Sequence, residues 1–199
     1  MRVLLVLLLL ALPLHAADVE VGVQHVGTMM MGETTFDGLE LEVETTRGFA
    51  ASAELFLSDR LSTRAAATFI NPVAVINPGD IDLNTVSLDI YSVGARWHFA
   101  PASRVSAFAG GGAAYVSFGN LETRFTDDVE LTLGSTAAFY VEGGARYRVL
   151  PRLFVEAGLS YMPLEAKTRV VLNERPGLTL PSRVTFNPLT LSAGATWRF

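Results

Sequence analysis

From Leu189 to Phe199 the odd-numbered residues are all apolar, and the even-numbered ones are small, hydroxylated or charged. Successive side chains of a β-strand point to opposite faces, so this segment has one oily face and one wet face. The same two-residue period recurs along the chain. Val19, Val21 and Val23 alternate with Glu20, Gly22 and Gln24, and Phe49, Ala51, Ala53, Leu55 and Leu57 alternate with a face carrying Glu54. Leu61, Ala65, Ala67 and Phe69 lie opposite Arg64, and Tyr91, Val93, Ala95, Trp97 and Phe99 lie opposite Arg96 and His98. Phe139, Val141, Ala145, Tyr147 and Val149 lie opposite Glu142, Arg146 and Arg148, and Leu153 to Tyr161 alternates with a face carrying Glu156. Val105 to Tyr115 follows the rule less cleanly, with Phe108 on its second face. The pattern predicts eight strands of about ten residues each, the length a tilted strand needs to cross the hydrocarbon layer.

The predicted connections alternate in length. Short ones carry turn residues (Ser58-Asp59-Arg60, Ala100 to Ser103, Leu150-Pro151-Arg152), and long loops are expected over 30–47, 71–87, 119–135 and 163–187. Short turns at one end and long loops at the other are the layout of an outer-membrane barrel, short turns inward. Trp97, Phe99, Tyr147, Trp197 and Phe199 all fall at the short-turn end, where an interfacial girdle is expected.

Composition sharpens the picture. Half of the 199 residues are apolar and 18% are charged, with mean hydropathy +0.35, which is oily for a soluble domain. Yet no apolar run approaches the roughly 20 residues of a spanning helix. A closed transmembrane sheet resolves that mismatch. A soluble lipocalin-like barrel would also alternate, but with its charged face outward and only small residues left to fill the core. A net charge of −5 leaves no basic footprint for nucleic acid. The absence of cysteine excludes a disulfide framework, Cys-ligated zinc, a thiol nucleophile and a lipid anchor, and three histidines leave little for metal. No cofactor or metal is expected.

Residues 1–16 have the three parts of a secretory signal: Arg2, an apolar run from Val3 to Leu12, and a small-residue end at Ala16-Ala17. The expected domain organisation is therefore a signal peptide over 1–16 and a single barrel over 17–199, exported to the cell outer membrane of a Gram-negative bacterium and contacting its lipid.

The face opposite the oily stripe defines a candidate site. An eight-stranded barrel has room inside only for side chains or one small ligand. Counted from the short turns, Glu20, Glu54, Arg64, Arg96, Glu142, Arg146, Arg148, Glu156 and Arg198 fall in the inner half of the lumen. Four acids and five bases can pair into a plug, since unpaired charge in a narrow lumen is costly; the plainer alternative is charges that solvate a wet core. Toward the outer end the inward positions turn apolar: Val26, Met30, Ile70, Leu88, Ile90, Val116, Phe118, Tyr140 and Met162. An oily pocket above a charged floor would release its ligand sideways into the bilayer, near Pro163 and Pro188, which interrupt strand pairing; the plainer alternative is packing of the mouth. A second reading of the chain is a structural, adhesive or receptor barrel displaying its loops, two of which carry apolar runs (Val73 to Ile76, Val170 to Leu172). An enzyme is the third. His98 falls at the inner end, His25 has no Ser–His–acid setting that sequence supports, and Asp80, Asp82, Asp127 and Asp128 sit in long connections, so no catalytic residue is expected.

Several stretches carry a family resemblance. They are Leu57-Ser58-Asp59-Arg60-Leu61, Ala66-Ala67-Thr68-Phe69, Ala95-Arg96-Trp97-His98-Phe99 and Ala107 to Tyr115, then Gly143-Gly144-Ala145-Arg146-Tyr147, Ser160-Tyr161-Met162, Asn187-Pro188 and Ser192-Ala193-Gly194. In order and spacing they resemble the outer membrane protein W family, with the alkane-uptake barrel AlkL as a relative. The resemblance implies an eight-stranded barrel that helps small hydrophobic molecules cross the outer membrane. Trp197-Arg198-Phe199 resembles the C-terminal signal recognised by the outer-membrane assembly machinery, with Phe199 as its terminal aromatic. Ser160 stands where relatives often have Trp, and Ala65-Ala66 where they often have bulkier aliphatics, so a family-style hydrophobic gate would be built differently here.

Overall fold

The computed structural model describes residues 18–30, 34–36, 39–43, 45–77, 81–119, 129–172 and 179–199. The proposed signal segment and Asp80, Asp127 and Asp128 lie outside them. The described residues form strands only: β1 (Val19–Met30), β2 (Thr34–Phe36), β3 (Leu39–Val43), β4 (Thr46–Phe56), β5 (Leu61–Asn77), β6 (Ile81–Phe99), β7 (Val105–Phe118), β8 (Val129–Leu133), β9 (Thr136–Arg148), β10 (Leu153–Tyr161), β11 (Leu164–Leu172), β12 (Thr179–Phe186) and β13 (Pro188–Arg198). Eight of them close into an antiparallel ring in the order β4-β1-β13-β10-β9-β7-β6-β5, sealed by β4 against β5. This is the predicted all-β, eight-stranded antiparallel transmembrane barrel. Closure gives every strand of the ring a neighbour on both sides, which is what allows a sheet to sit in hydrocarbon.

Polarity is inverted relative to a soluble barrel. Val23, Val93, Val105, Val141 and Leu191 are exposed, as is Phe139 at 80% exposure, whereas Glu20, Glu54, Arg64, Arg96, Arg146 and Glu156 are buried. The dyad period produces this directly, because each strand turns its even-numbered or odd-numbered set into the lumen as a block. Trp97, Phe99, Tyr147, Trp197 and Phe199 all face outward at the short-turn end. A second aromatic row, Phe49, Phe69, Tyr91, Tyr115 and Phe139, lies higher on the same surface, with Phe49 and Phe69 centroids 5.1 Å apart and Phe69 edge-on to Tyr91 at 6.4 Å. Tyr147 and Phe139 are separated by roughly 20 Å along the barrel axis, given about 3.3 Å of rise per residue and a tilt near 40°. The two rows therefore bracket an apolar band of membrane height.

The long connections depart from expectation. They were expected as loops, but much of their length is strand. β5 and β6 continue past the ring to pair Asn77 with Ile81, carrying Val73 to Ile76 in β5, with register shifts between Ile70 and Val75. β3 adds to β5, β2 to β3, β12 to β2, β11 to β12 and β8 to β11, so that Val170 to Leu172 belong to β11. The alternation of Leu39-Glu40-Leu41-Glu42-Val43 shows why: the two-residue period does not stop at the membrane surface, and neighbouring strands that leave the ring together retain their ladder hydrogen bonds. The short turns fall where predicted. At Ala100 the backbone adopts a left-handed conformation, φ 48°, and Ser103 N–H donates to its carbonyl at 3.0 Å.

Candidate functional site: the barrel lumen

The inward charges assemble into two stacked layers. Arg96, from β6, is the hub of the upper one. Its Nε and Nη2 donate to the two oxygens of Glu142 at 2.9 and 2.7 Å, and its Nη1 donates to Glu156 Oε1 at 3.0 Å and to Glu54 Oε2 at 3.2 Å. The guanidinium lies 4.0 Å above the centroid of the Phe108 ring. Arg64 donates to Gln24 Oε1 at 3.0 Å and stands 3.6 Å from Glu142, while Gln24 Nε2 donates to Glu156 at 3.0 Å. Glu54 also accepts from Ser62 Oγ.

The lower layer is built on Glu20. It accepts from Arg146 Nη2, from Arg198 Nε at 2.7 Å and from Thr196 Oγ1 at 3.4 Å. Phe154 and Phe56 cover these guanidiniums, with Arg146 4.2 Å from the Phe154 centroid and Arg198 4.5 Å from that of Phe56. Three carboxylates face two arginines above, and one carboxylate faces two arginines below, so each layer offsets the other's excess. Eight of the nine expected plug residues join these layers. Arg148 does not: it sits one step closer to the short turns, where its Nη2 donates to the carbonyls of Ala102 and Ser103 at 2.7 and 3.1 Å. On the neighbouring strand Glu156 stands opposite Arg146, whereas the residue opposite Arg148 is Phe154.

His98 is fully buried, and its Nε2 lies 2.8 Å from Glu54 Oε1 and 2.9 Å from Ser62 Oγ. Sequence reasoning missed this grouping, although Ser62, His98 and Glu54 share inward parity on adjacent strands. It is not a catalytic triad. In a triad the acid holds one ring nitrogen and the serine the other, whereas here a single nitrogen faces both. His25 points to the lipid side, Asp82 is described only as a backbone position of β6, and no metal-binding group of His, Asp or Glu occurs among the described residues. Sequence reasoning also passed over Phe56, Phe108 and Phe154, the aromatics that sheathe the arginines. The signal was present in their parity: each shares a face with the charges.

Above the plug lies an apolar cluster. Ile70, Leu88, Ile90, Val116, Tyr140 and Met162 are buried together, joined by Ala114, Ala138, Leu164 and Ala166, with Phe118 packed against them. Val26 is buried apart from this cluster and lines a cavity of about 70 Å³ between it and the plug. The Met30 side chain lies outside the described residues. That cavity is small beside the hundreds of cubic ångströms usual for small-molecule pockets, so among the described residues the level just above the plug is closely packed. Inward glycines make room for the packing. A Cβ on Gly144 would lie 2.3 Å from the Ala157 carbonyl oxygen and 2.6 Å from Phe108 Cζ, and one on Gly94 would lie 2.5 Å from the Tyr140 hydroxyl. Gly144→Val is therefore expected to destabilise the barrel by about 1–3 kcal/mol, read as a lower urea midpoint in lipid vesicles.

The wall beside the cluster is interrupted. β9–β10 pairing stops at Tyr161 opposite Val141, and β8–β11 pairing resumes at Thr168 opposite Leu133, one residue out of register. Across the interval Gly134 N–H donates to the Lys167 carbonyl at 2.9 Å and Thr136 Oγ1 to the Glu165 carbonyl at 3.0 Å. Pro163, which has no N–H to offer a ladder, sits in this interval. Pro188 does not break its ladder: it pairs with Met30 and accepts from Met162 N–H at 3.2 Å. Phe199 ends the chain facing outward, its N–H on the Val19 carbonyl at 2.9 Å.

The family model described as "Outer membrane protein beta-barrel domain" matches residues 3–199. The chain is similar to the crystal structure of OprG from Pseudomonas aeruginosa, at TM-score 0.75 and 15% identity over 92% of this chain and 96% of that one. It is similar to AlkL in DMPC bilayers at TM-score 0.67 and 15% identity, covering 92% and 90%. It is also similar to the outer membrane protein W of E. coli at TM-score 0.59 and 15% identity, covering 94% and 100%. No curated protein matches the chain by sequence. At these identities the structural likenesses speak for the fold.

Proposed function

The chain belongs to the outer membrane protein beta-barrel domain family, and from that premise we propose that it passes small hydrophobic molecules from the cell exterior into the outer membrane, through the apolar outer lumen and out of the side of the barrel. The observation that carries this reading is the ladder interruption between β9 and β10–β11. Tyr140 and Ala138 flank it on one side, and Met162, Leu164 and Ala166 on the other, all of them members of the buried apolar cluster. An oily solute in that cluster meets paired charges below and membrane beyond the interruption. The passage from water to bilayer is downhill overall, because apolar surface leaves water, while the step through the plug would require desolvated ion pairs to separate. The cavity beside the cluster holds only about 70 Å³, so a larger solute makes room there by displacing side chains; Met162, unbranched and flexible, is suited to yielding. The reading assigns no catalytic role to any residue.

Ile90→Asp combined with Met162→Asp tests the route. Each places a carboxylate inside the cluster, and uptake of a radiolabelled alkane by cells or proteoliposomes is expected to fall about tenfold or more. Unchanged uptake would remove the outer lumen from the path. It would instead favour a barrel that displays its outer surface, a reading supported by the sheet of β2, β3, β8, β11 and β12 beyond the ring.

A further inference from the structure

We propose that the solute taken up is a small neutral amphiphile of the alkanol class, and that its hydroxyl head lodges in the chamber just above the plug. The proposal rests on the uptake reading and narrows it. The chamber, of about 70 Å³, has two kinds of wall. Val26, Ile90 and Met162 make an apolar part, and Ile90 and Met162 belong to the buried cluster. Thr68, Ser92, Tyr140, Ser160, Thr190 and Ser192 bring hydroxyls to the rest, from five different strands of the ring. The two walls meet where the oily outer lumen gives way to the charged floor.

Some of these hydroxyls are already engaged. Thr190 is bonded to Thr28 at 3.0 Å, and Ser192 Oγ donates to the Gly158 carbonyl at 3.3 Å. Thr68 and Ser160 are half-buried, line the chamber and have no hydrogen-bond partner among the described residues. Polar groups taken from bulk water are ordinarily bonded to protein, water or ligand, so these two mark where a polar group belongs. A chamber of this size admits such a group but not a whole drug-sized molecule. The rest of the ligand must therefore extend upward into the cluster.

Charge decides the kind of head. Arg64 and Glu142 both line the chamber, 3.6 Å apart. Both are committed, Arg64 to Gln24 and Glu142 to Arg96. One cation and one anion leave the chamber neutral. A carboxylate head would be pressed against Glu142 and an ammonium head against Arg64, each without a free counterion, and burying unpaired charge is costly. A hydroxyl avoids this cost, since it both donates and accepts, as Thr68 and Ser160 do. A purely apolar solute would leave those two side chains facing hydrocarbon.

The test uses the full chain refolded in nanodiscs of deuterated phospholipid, with protonated methyl groups on Ile, Val, Met and Thr. Titrations with 1-octanol and with n-octane are followed by NMR. Nuclear Overhauser contacts are expected from the hydroxymethylene protons of octanol to the Thr68 methyl, and from its tail to the Ile90 and Met162 methyls. The alcohol is expected to bind about tenfold more tightly than the alkane, the effect of one or two net hydrogen bonds. Combining Thr68→Val with Ser160→Ala nearly conserves size and removes both hydroxyls, and should bring that ratio to about one. Octanoate and octylammonium are expected to bind about tenfold more weakly than octanol. The proposal is overturned if wild type binds octanol and octane equally, the chamber then holding water only. It is also overturned if the preference survives in the double variant, or if either charged solute binds as tightly as the alcohol. Any of these results with Ile90 and Met162 contacts present fails this inference alone; no contact from any solute to those methyls fails the uptake reading with it.

Discussion

Arg96→Met is expected to lower the free energy of unfolding by about 3–5 kcal/mol, the usual cost of removing one partner from a buried ion-pair network. Arg96 donates to Glu54, Glu142 and Glu156 at once. Its loss leaves three carboxylates in a closed lumen with Arg64 as the remaining arginine of that layer. Methionine fills most of the vacated volume, so the penalty comes from charge rather than from a cavity. The measurement is reversible urea unfolding in lipid vesicles, followed by tryptophan fluorescence. Adding Glu142→Gln and Glu156→Gln to Arg96→Met should recover most of the loss, because neutral amides no longer require the cation. A triple variant as unstable as the single one would show that Arg96 acts through its packing on Phe108 instead.

A covalent staple across the ladder interruption is expected to stop uptake. Gly134 and Lys167 are both exposed, and Gly134 N–H donates to the Lys167 carbonyl at 2.9 Å; the chain contains no cysteine, so Gly134→Cys with Lys167→Cys introduces one thiol pair and no competing thiol. Oxidised, the pair pins the two segments together at the outer end of the interval, and alkane uptake should fall about tenfold or more, since a solute passing between the strands needs them to part. Reduction by dithiothreitol should restore it in the same sample, which separates a blocked exit from a misfolded barrel. Full uptake in the oxidised state would place the exit elsewhere.

These experiments draw on features of unequal legibility. The ring was readable strand by strand, because the two-residue period is local: Leu189 to Phe199 declares its two faces without reference to any partner. Which face meets lipid was readable too, since Glu54, Arg96 and Glu156 cannot face hydrocarbon while Val23 and Phe139 can. The long connections read as loops because membrane height sets only a minimum length for a strand, whereas the pairing of Asn77 with Ile81 runs on past it. Along its own strand Phe108 interrupts the alternating pattern. In the lumen it is the surface on which Arg96 rests.

The sequence by itself determined the class of architecture, the sorting of oily and ionisable side chains to opposite faces, and the division of the lumen into a charged inner part and an apolar outer part. All three follow from parity and from distance to the short turns, quantities that can be counted along one chain. Tertiary structure alone decided which charges meet. Arg96 finds Glu54, Glu142 and Glu156 across the barrel, Arg148 finds only turn carbonyls, and the β9–β11 register slips by one residue. Those outcomes depend on the stagger of strands around a closed ring and on the reach of individual side chains across its interior. Residues far apart in sequence are brought within 3 Å there by geometry that no single segment encodes.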